Sequence, residues 1–222
     1  MSSKQSQYDK LVSKRKEFTF CDGLVNPSKI ENGKYDSANH LGPWSAWHGD
    51  LEAKILVVGQ DWGDENYYLN NKGYDTDSNP TSKNLVELFS MLDIDIGLPN
   101  NPNLNTKLFF TNAILGMKDG GMSSSVNAKW VNEGVNEFLA QLITILQPNI
   151  IITLGTNPYK AVAEVYDLKK SMSLKELVGQ EPVKLNDGKL LFPMFHCGGL
   201  GLRNRSLRLQ KEDWSKVKKY VK

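Results

Sequence analysis

The chain has only two cysteines among its 222 residues, Cys21 and Cys197. They lie far apart and form no Cys-x-x-Cys pair, which argues against a disulfide framework, a four-cysteine zinc site and a cysteine-ligated iron–sulfur cluster. We therefore expect two free thiols in a reducing compartment, no metal and no cofactor. A zinc site built from Cys197, His40 and His48 is the weaker alternative, because these residues lack metal-site spacing.

Long apolar runs and strong charge are also missing. No stretch of about 18 apolar residues occurs, and the polar, basic N-terminus lacks the apolar segment of a secretory signal. We therefore expect a cytoplasmic protein that does not contact membranes. The net charge is only +2, which is small for a protein covered by nucleic acid. The basic stretch 203–222 could touch phosphates, but a solvated helix face is the favoured interpretation.

The chain does contain four short apolar runs, at 54–59, 108–115, 150–155 and 190–196. Each is nearly continuous in its apolar character, which is typical of strands buried on both faces of a parallel sheet. The sequence predicts a single-domain, three-layer α/β/α protein with a central, mostly parallel four-stranded sheet. Residues 1–50 are expected to form an N-terminal arm that packs on a domain over 51–222.

Apolar spacing and capping residues predict the helices between these strands. One runs through 85–92 and is capped by the Thr or Ser at 81–82, and a longer one runs through 131–146. An Asn-Pro pair predicts the start of a helix over 157–166. A last helix is predicted over 206–221.

Polar side chains stand at or near the ends of the predicted strands. Gln60 and Asp61 follow the first, Asn112 lies within the second, Thr156 and Asn157 follow the third, and His196 ends the fourth. Because ligands bind outside the carboxyl ends of parallel strands, we expect a carboxylate, an amide and an imidazole to meet at one edge of the sheet. The pattern predicts a site but names no substrate.

Four segments close to these positions read GQDWG at 59–63, SKNL at 82–85, TNAIL at 111–115 and HCGGL at 196–200. In the same order they resemble the Gly-Gln-Asp-Pro, Ser-Leu-Lys-Asn-Ile, Leu-Asn-Ala-Val-Leu and His-Pro-Ser-Pro-Leu motifs of the uracil-DNA glycosylase superfamily. The whole pattern is most similar to a bacterial branch with GQDWG, FFTNA, GGMS and HCG segments.

The resemblance implies a DNA glycosylase that acts in base excision repair. Such an enzyme hydrolyses the N-glycosidic bond of uracil, or of a related deaminated base, after the base has been flipped out of DNA. Asp61 would stabilise the positively charged sugar and position the water, and His196 would donate a hydrogen bond to the departing base. The enzyme would be monofunctional and monomeric, with damaged DNA as its partner.

The same resemblance assigns the binding residues. The base would be held by Gln60, Trp62, Gly63, Tyr74 and Asn112, with Tyr67 and Tyr68 as rivals of Tyr74 for stacking on it. The DNA would be contacted by Ser82, Asn84, Thr156, Gly198, Gly199, Leu200, Arg203 and Arg205. Within these sets, Asn112 would pair with the uracil edge, and Leu200 would wedge into the duplex.

Two departures from the family pattern bear on the function. Gly63 stands where the best-known members have a tyrosine that blocks the thymine methyl group, so strict exclusion of thymine is in doubt. The loop at 196–200 keeps the histidine and leucine but replaces the residues between them.

Two other functions stay open: a non-catalytic binder of modified DNA or nucleotide, and a hydrolase of free nucleosides or nucleotides. Asp61 and His196 together favour the glycosylase, and the small net charge mildly favours the nucleoside hydrolase.

Overall fold

The computed structural model describes residues 3–122, 124–168 and 172–221. The strands are β1 (Leu24–Val25), β2 (Ile55–Gly59), β3 (Gly97–Leu98), β4 (Asn101–Pro102), β5 (Leu108–Asn112), β6 (Met117–Lys118), β7 (Ile150–Leu154), β8 (Val183–Lys184) and β9 (Leu190–Met194). The helices are α1 (Lys4–Glu17), α2 (Pro43–Trp47), α3 (Glu65–Asn70), α4 (Pro80–Ser90), α5 (Ala128–Gly134), α6 (Ala140–Leu146), α7 (Thr156–Val165), α8 (Leu174–Leu177), α9 (Gly199–Asn204) and α10 (Leu207–Ser215). Short 3₁₀ turns cover Pro27–Gly33 and Lys218–Tyr220.

The central sheet of the described residues has five strands in the order β5-β2-β7-β9-β8. The four predicted strands β5, β2, β7 and β9 run parallel, and β8 pairs antiparallel with β9 at the edge. The sequence predicts four strands, so the fifth is a correction. Val183 and Lys184 form too short a run to give an apolar pattern of their own.

Apolar clusters cover both faces of the sheet, which confirms the three-layer architecture. Side chains alternate between the faces along each strand. Ile55 and Val57 of β2 therefore pack with α2, α4 and α10, whereas Leu56 and Val58 pack with α1, α5, α6 and α7. Because both faces are buried, the strands read as continuous apolar runs in the sequence.

Two helix starts differ from the predictions. α4 is capped by Asn79 rather than by Thr81 or Ser82, and the Asn79 side chain accepts a 2.8 Å hydrogen bond from the Thr81 N–H. α7 begins behind Gly155, so Asn157 lies inside the first turn and does not cap it. The Asn157 side chain is thereby left to bind a partner across the sheet edge.

The other two predicted helices are also present with changed details. The helix predicted over 131–146 is α5 and α6, joined without a break by one π-helical segment, Val135–Leu139. The last helix is capped by Ser206 and ends at Ser215, and a 3₁₀ turn follows instead of a further helical stretch.

The N-terminal residues contribute to the core. Tyr8 and Leu11 of α1 are buried, and the Tyr8 ring meets the Phe109 ring edge-on at 5.6 Å between centroids. A buried ion pair joins Arg15 to Asp36 at 2.9 Å. The boundary at residue 50 stays a prediction. In the described ranges, no helix is long and apolar enough to cross a membrane.

Candidate active site

A cleft of about 870 Å³ opens at the carboxyl ends of β2, β7 and β9, where α4 and α7 begin. β2 connects onward to β5 on one side, and β7 connects to β9 on the other, so the cleft lies at the switch point where open α/β sheets bind ligands. Its lining includes Trp44, Gln60, Asp61, Trp62, Gly63, Tyr67, Asp75, Thr81, Lys118, Met122, Thr156, Asn157, His196, Gly198, Gly199 and Leu200. The volume suits a ligand of nucleoside size.

Asp61 is held by neighbours on both of its oxygens. Gln60 Nε2 donates a 2.8 Å hydrogen bond to Oδ2, and Lys118 Nζ lies 3.4 Å from Oδ1. Asn157 Nδ2 donates to Gln60 Oε1 at 2.8 Å, which fixes the orientation of the Gln60 amide. The carboxylate side chain is only 7% exposed, so its orientation is set by the protein rather than by water.

His196 presents one ring nitrogen for donation. The Gly198 N–H donates to His196 Nδ1 at 2.9 Å. Nδ1 is therefore the acceptor, and the neutral ring carries its proton on Nε2. Burial lowers the pKa of His196, and the nearby Asp61 carboxylate partly opposes this shift. At neutral pH the imidazole is thus an uncharged hydrogen-bond donor.

The loop after His196 is anchored to the start of α4. Asn84 Nδ2 donates a 2.6 Å hydrogen bond to the Cys197 carbonyl, and burial raises the pKa of the Cys197 thiol to about 12. A Cβ at Gly198 would lie 2.7 Å from Thr81 Oγ1 and 2.7 Å from the His196 ring. Only glycine therefore allows this loop to pack so closely.

Aromatic rings form one wall of the cleft. Trp44, Trp62 and Tyr67 line it, and the Trp62 and Tyr67 rings lie 4.9 Å apart. Asn79 Nδ2 holds the Tyr67 hydroxyl at 2.7 Å. Tyr74, the first choice for stacking on the base, is 61% exposed and lies outside the lining.

The space beside Gly63 is filled by other side chains. Its φ is +135°, which already disfavours any other residue, and a Cβ there would lie 2.7 Å from Met122 Sδ and 3.1 Å from the Tyr67 ring. Met122 is 49% exposed at the mouth of the cleft. The Met122 side chain therefore fills the space that a side chain at position 63 would occupy.

Asn112 ends β5 beside Gly59 at the end of β2. The residue is buried, and its Oδ1 makes no hydrogen bond to the described residues. Asn112 is absent from the lining of the cleft, although Trp44, which also packs on Gly59, is part of it. The structure therefore brings this amide next to the cleft but not into it.

Asp75 is a second buried carboxyl group of the cleft. Its Oδ1 accepts a 3.2 Å hydrogen bond from Asn79. Burial raises the pKa of Asp75 to about 6, against the opposing effect of Asn79 and of the nearby indole N–H groups of Trp62 and Trp44. The carboxyl therefore changes protonation close to neutral pH and adds polarity to the aromatic wall.

The residues predicted to touch DNA fall into two groups. Thr156, Gly198, Gly199 and Leu200 line the cleft, and Leu200 is 66% exposed in the first turn of α9 rather than in a loop. The remaining four are not part of the cleft lining: Ser82, Asn84, Arg203 and Arg205.

Of these four, three are buried or paired inside the protein. Ser82 is buried, and Asn84 holds the loop carbonyl described above. Arg205 makes two 2.7 Å hydrogen bonds to Asp213. Arg203 lies exposed on α9.

The basic C-terminal stretch is largely engaged in surface ion pairs. Lys211 pairs with Glu87 and Lys218 pairs with Asp93, each at 2.6 Å. Lys222 lies outside the described residues. These pairs agree with a solvated helix face as the role of this stretch.

The histidines outside the cleft do not point to a metal. His48 Nε2 lies 3.0 Å from the Ile96 carbonyl, and burial lowers the pKa of His48 to about 4. Within the described part of the chain, no three His, Cys, Asp or Glu residues form a group able to hold a metal ion.

Several cleft residues were not selected from the sequence, among them Trp44, Asp75, Lys118 and Met122. Lys118 and Met122 belong to the segment 116–122 that follows β5 and folds back over Gly63. The GGMS sequence at 120–123, which belongs to the pattern of the similar bacterial branch, was the signal that could have pointed to this segment. Trp44 lies in α2, within the predicted N-terminal arm, and it lines the cleft.

Fold and site together define an α/β protein whose parallel sheet holds a carboxylate and a neutral imidazole in one aromatic-walled cleft. The family model of the Uracil DNA glycosylase superfamily matches residues 46–220, and the chain belongs to that superfamily. No curated protein matches the chain in sequence.

Proposed function

We propose that the chain is a DNA glycosylase that hydrolyses the N-glycosidic bond of uracil, or of a related deaminated base, flipped out of DNA. The observation that carries this proposal is the presence of Asp61 and His196 in one cleft, each already oriented by a hydrogen bond. Membership of the superfamily supports the same class of reaction.

The two groups suit the two charges that form when the bond breaks. Positive charge develops on the sugar, and the Asp61 carboxylate stabilises it and orients the attacking water. Negative charge develops on the departing base, and His196 Nε2–H donates a hydrogen bond to the base oxygen. A neutral imidazole serves here because donation needs only the N–H.

We assign the stacking role to Tyr67, with Trp62 behind it, rather than to Tyr74. Tyr67 lines the cleft and has its hydroxyl fixed by Asn79, whereas Tyr74 faces solvent. Asn112 remains the proposed reader of the base edge. Its Oδ1 has no partner among the described residues, and a base that reached beyond the present cleft lining to the end of β5 would supply one.

DNA would approach across the rim of the cleft. The N-terminus of α7, which has no side-chain cap, opens into it, and the N–H groups of its first turn favour phosphate. Leu200 projects from the same rim. Flipping a base costs roughly a few kcal/mol in lost stacking, and an inserted apolar side chain offsets part of this cost.

A hydrolase of free nucleosides or nucleotides is the second candidate. It is favoured by the internal pairing of Asn84 and Arg205, which reduces the number of side chains available to a DNA backbone. A reader without activity is less well supported, because binding alone does not need both Asp61 and His196.

The deciding experiment uses a uracil-containing oligonucleotide, followed by alkaline cleavage of abasic sites, beside free deoxyuridine and its monophosphate. We expect base release from the oligonucleotide, and Asp61→Asn should reduce it by at least about 100-fold while leaving DNA binding intact. Asp93→Asn, which changes an exposed carboxylate paired with Lys218, is the matched control. Release from the free nucleoside alone would establish the second candidate, and binding without release would establish the reader.

A further inference from the structure

Lys118 is a buried lysine in the lining of the cleft. Its backbone N–H donates to the Gly63 carbonyl at 3.1 Å, which ties β6 to the loop that carries Asp61. Its side chain is 4% exposed, and Nζ donates to the Met122 carbonyl at 2.7 Å while lying 3.4 Å from Asp61 Oδ1. The amine is thus fixed beside the carboxylate that would face the sugar.

Base release by water alone does not call for this amine. A cation this close to Asp61 offsets the negative charge that would stabilise a positive sugar, and burying the pair is costly in itself. An amine next to a proton acceptor is, however, the arrangement that lets a lysine attack a carbonyl carbon and form an imine. Base release supplies such a carbon, because C1′ of an abasic deoxyribose opens to an aldehyde.

We propose that Lys118 is the nucleophile of a second activity, cleavage of abasic DNA by β-elimination through an imine at C1′. The proposal rests on the proposed function for its substrate class, DNA with a vacated sugar. It also departs from the expectation of a monofunctional enzyme, since the product of base release becomes the substrate of a further step in the same cleft.

The reaction balances without an oxidant, a reductant or a metal. The Lys118 ammonium gives a proton to Asp61, and its nitrogen bonds to C1′ of the aldehyde. Asp61 returns this proton to the carbinolamine hydroxyl group, which leaves as water and gives the protonated imine. The Asp61 carboxylate then accepts a proton from C2′, a double bond forms between C2′ and C3′, and the C3′–O bond breaks with the phosphate as leaving group. Water hydrolyses the imine and restores Lys118.

The test uses an oligonucleotide that already contains an abasic site, so that it does not depend on base release. The full chain is incubated with it in the presence of borohydride, which reduces an imine to a stable amine, and the adduct is located by peptide mapping. We expect the adduct on Lys118 and, without borohydride, strand cleavage that needs no alkali. A tetrahydrofuran site, which has no aldehyde, should give neither product.

Variants separate a nucleophile from a counter-ion. Lys118→Gln and Lys118→Arg should both lose adduct and cleavage of the pre-formed abasic site to the level of a protein-free control, provided that thermal unfolding shows them folded, whereas a counter-ion role would be kept by the arginine. Lys83→Gln, which changes an exposed lysine in α4, should keep both activities.

An adduct on other lysines, no adduct at all, or unchanged cleavage by Lys118→Gln would overturn the proposal and leave Lys118 as a partner of Asp61. Wild-type protein that cleaves abasic DNA but releases no base would instead uphold this inference and contradict the proposed function.

Discussion

Asn157 and Gln60 are joined by a 2.8 Å hydrogen bond across the switch point of the sheet, from the first turn of α7 to the end of β2. The Asn157 amide donates to Gln60 Oε1, so the Gln60 amide turns its Nε2 toward Asp61 Oδ2. Neither Asn157 nor Gln60 has to touch the reacting bond for this arrangement to matter. The hydrogen bond from Asn157 decides whether the nitrogen or the oxygen of the Gln60 amide points at the Asp61 carboxylate.

Asn157→Asp should therefore impair the reaction through Gln60. A carboxylate at 157 offers only acceptors, and the Gln60 amide would turn over and direct its oxygen at Asp61. Loss of a hydrogen bond to a charged group is worth about 1.5–3 kcal/mol, so kcat should fall by roughly 10- to 100-fold with little change in KM. Single-turnover base release by Asn157→Asp and Asn157→Ala checks this. A smaller loss in the alanine variant supports the inverted amide, and an equal loss in both would mean that only the contact itself matters.

The fold was predictable from the sequence because the four main strands are buried on both faces. Leu56 and Val57 point to opposite faces of the sheet, and both are apolar because both faces are buried. The strand therefore appears in the sequence as a continuous apolar run. β8 was missed because a two-residue edge strand is defined by its partner, β9. The sequence could place Asp61 and His196 at the cleft because each lies two residues beyond the end of a strand.

The rest of the cleft depends on contacts between distant segments. Lys118 and Met122 reach the site only because their loop folds back over Gly63. The periodicity of apolar residues in the sequence does not predict how such a loop folds. Tyr67 and Tyr74 are chemically alike, and the placement of α3 decides which one lines the cleft. Local sequence therefore predicted the strand-end groups and not the side chains that surround them.

The rate of base release should fall in acid, with a midpoint below the ordinary His pKa of about 6.5. Burial lowers the pKa of His196, so the ring is neutral at pH 7 and becomes charged only as the pH falls through that lowered pKa. A proton on Nδ1 would then oppose the Gly198 N–H, which now donates to that atom. The measurement is the single-turnover rate from pH 5 to pH 8.

A non-titrating variant identifies the group responsible. His196→Asn should be slower by about 100- to 1,000-fold, as expected when one donor to a developing oxyanion is lost. Its rate should also no longer show the fall in acid, the acid limb of the pH profile. His40→Asn changes a histidine outside the lining of the cleft and should keep it. An acid limb that persists in His196→Asn would assign the titration to another group.

Met122 should take over the exclusion of thymine that Gly63 cannot perform. Its sulfur occupies the space beside Gly63, where the extra methyl of thymine would have to fit. Met122→Ala opens that space, and a single methyl or methylene group in a pocket is worth about 1–3 kcal/mol. Thymine release from a T·G mismatch should therefore rise by roughly 10-fold or more relative to uracil release.

Two further variants make the Met122 experiment specific. Met122→Leu keeps the volume and should keep the discrimination, and Met172→Ala removes an equally exposed methionine, 47% against 49%. If Met122→Ala leaves the ratio of thymine to uracil release unchanged, the side chain does not act as the steric barrier.

Leu200 is a largely exposed apolar side chain beside the candidate active site. It is 66% exposed, in the first turn of α9 directly after Gly198 and Gly199, and it stands at the rim of the cleft. An apolar side chain in this position can enter the gap left by a flipped base and offset part of the unstacking cost, roughly a few kcal/mol. Single-stranded DNA has little of that cost. Leu200→Ala should therefore slow release from duplex DNA clearly more than release from single-stranded DNA.

Leu104→Ala removes a leucine that is 70% exposed outside the cleft and should affect neither substrate. Equal slowing on both substrates would indicate a damaged pocket, and no slowing on either would show that Leu200 does not enter the duplex.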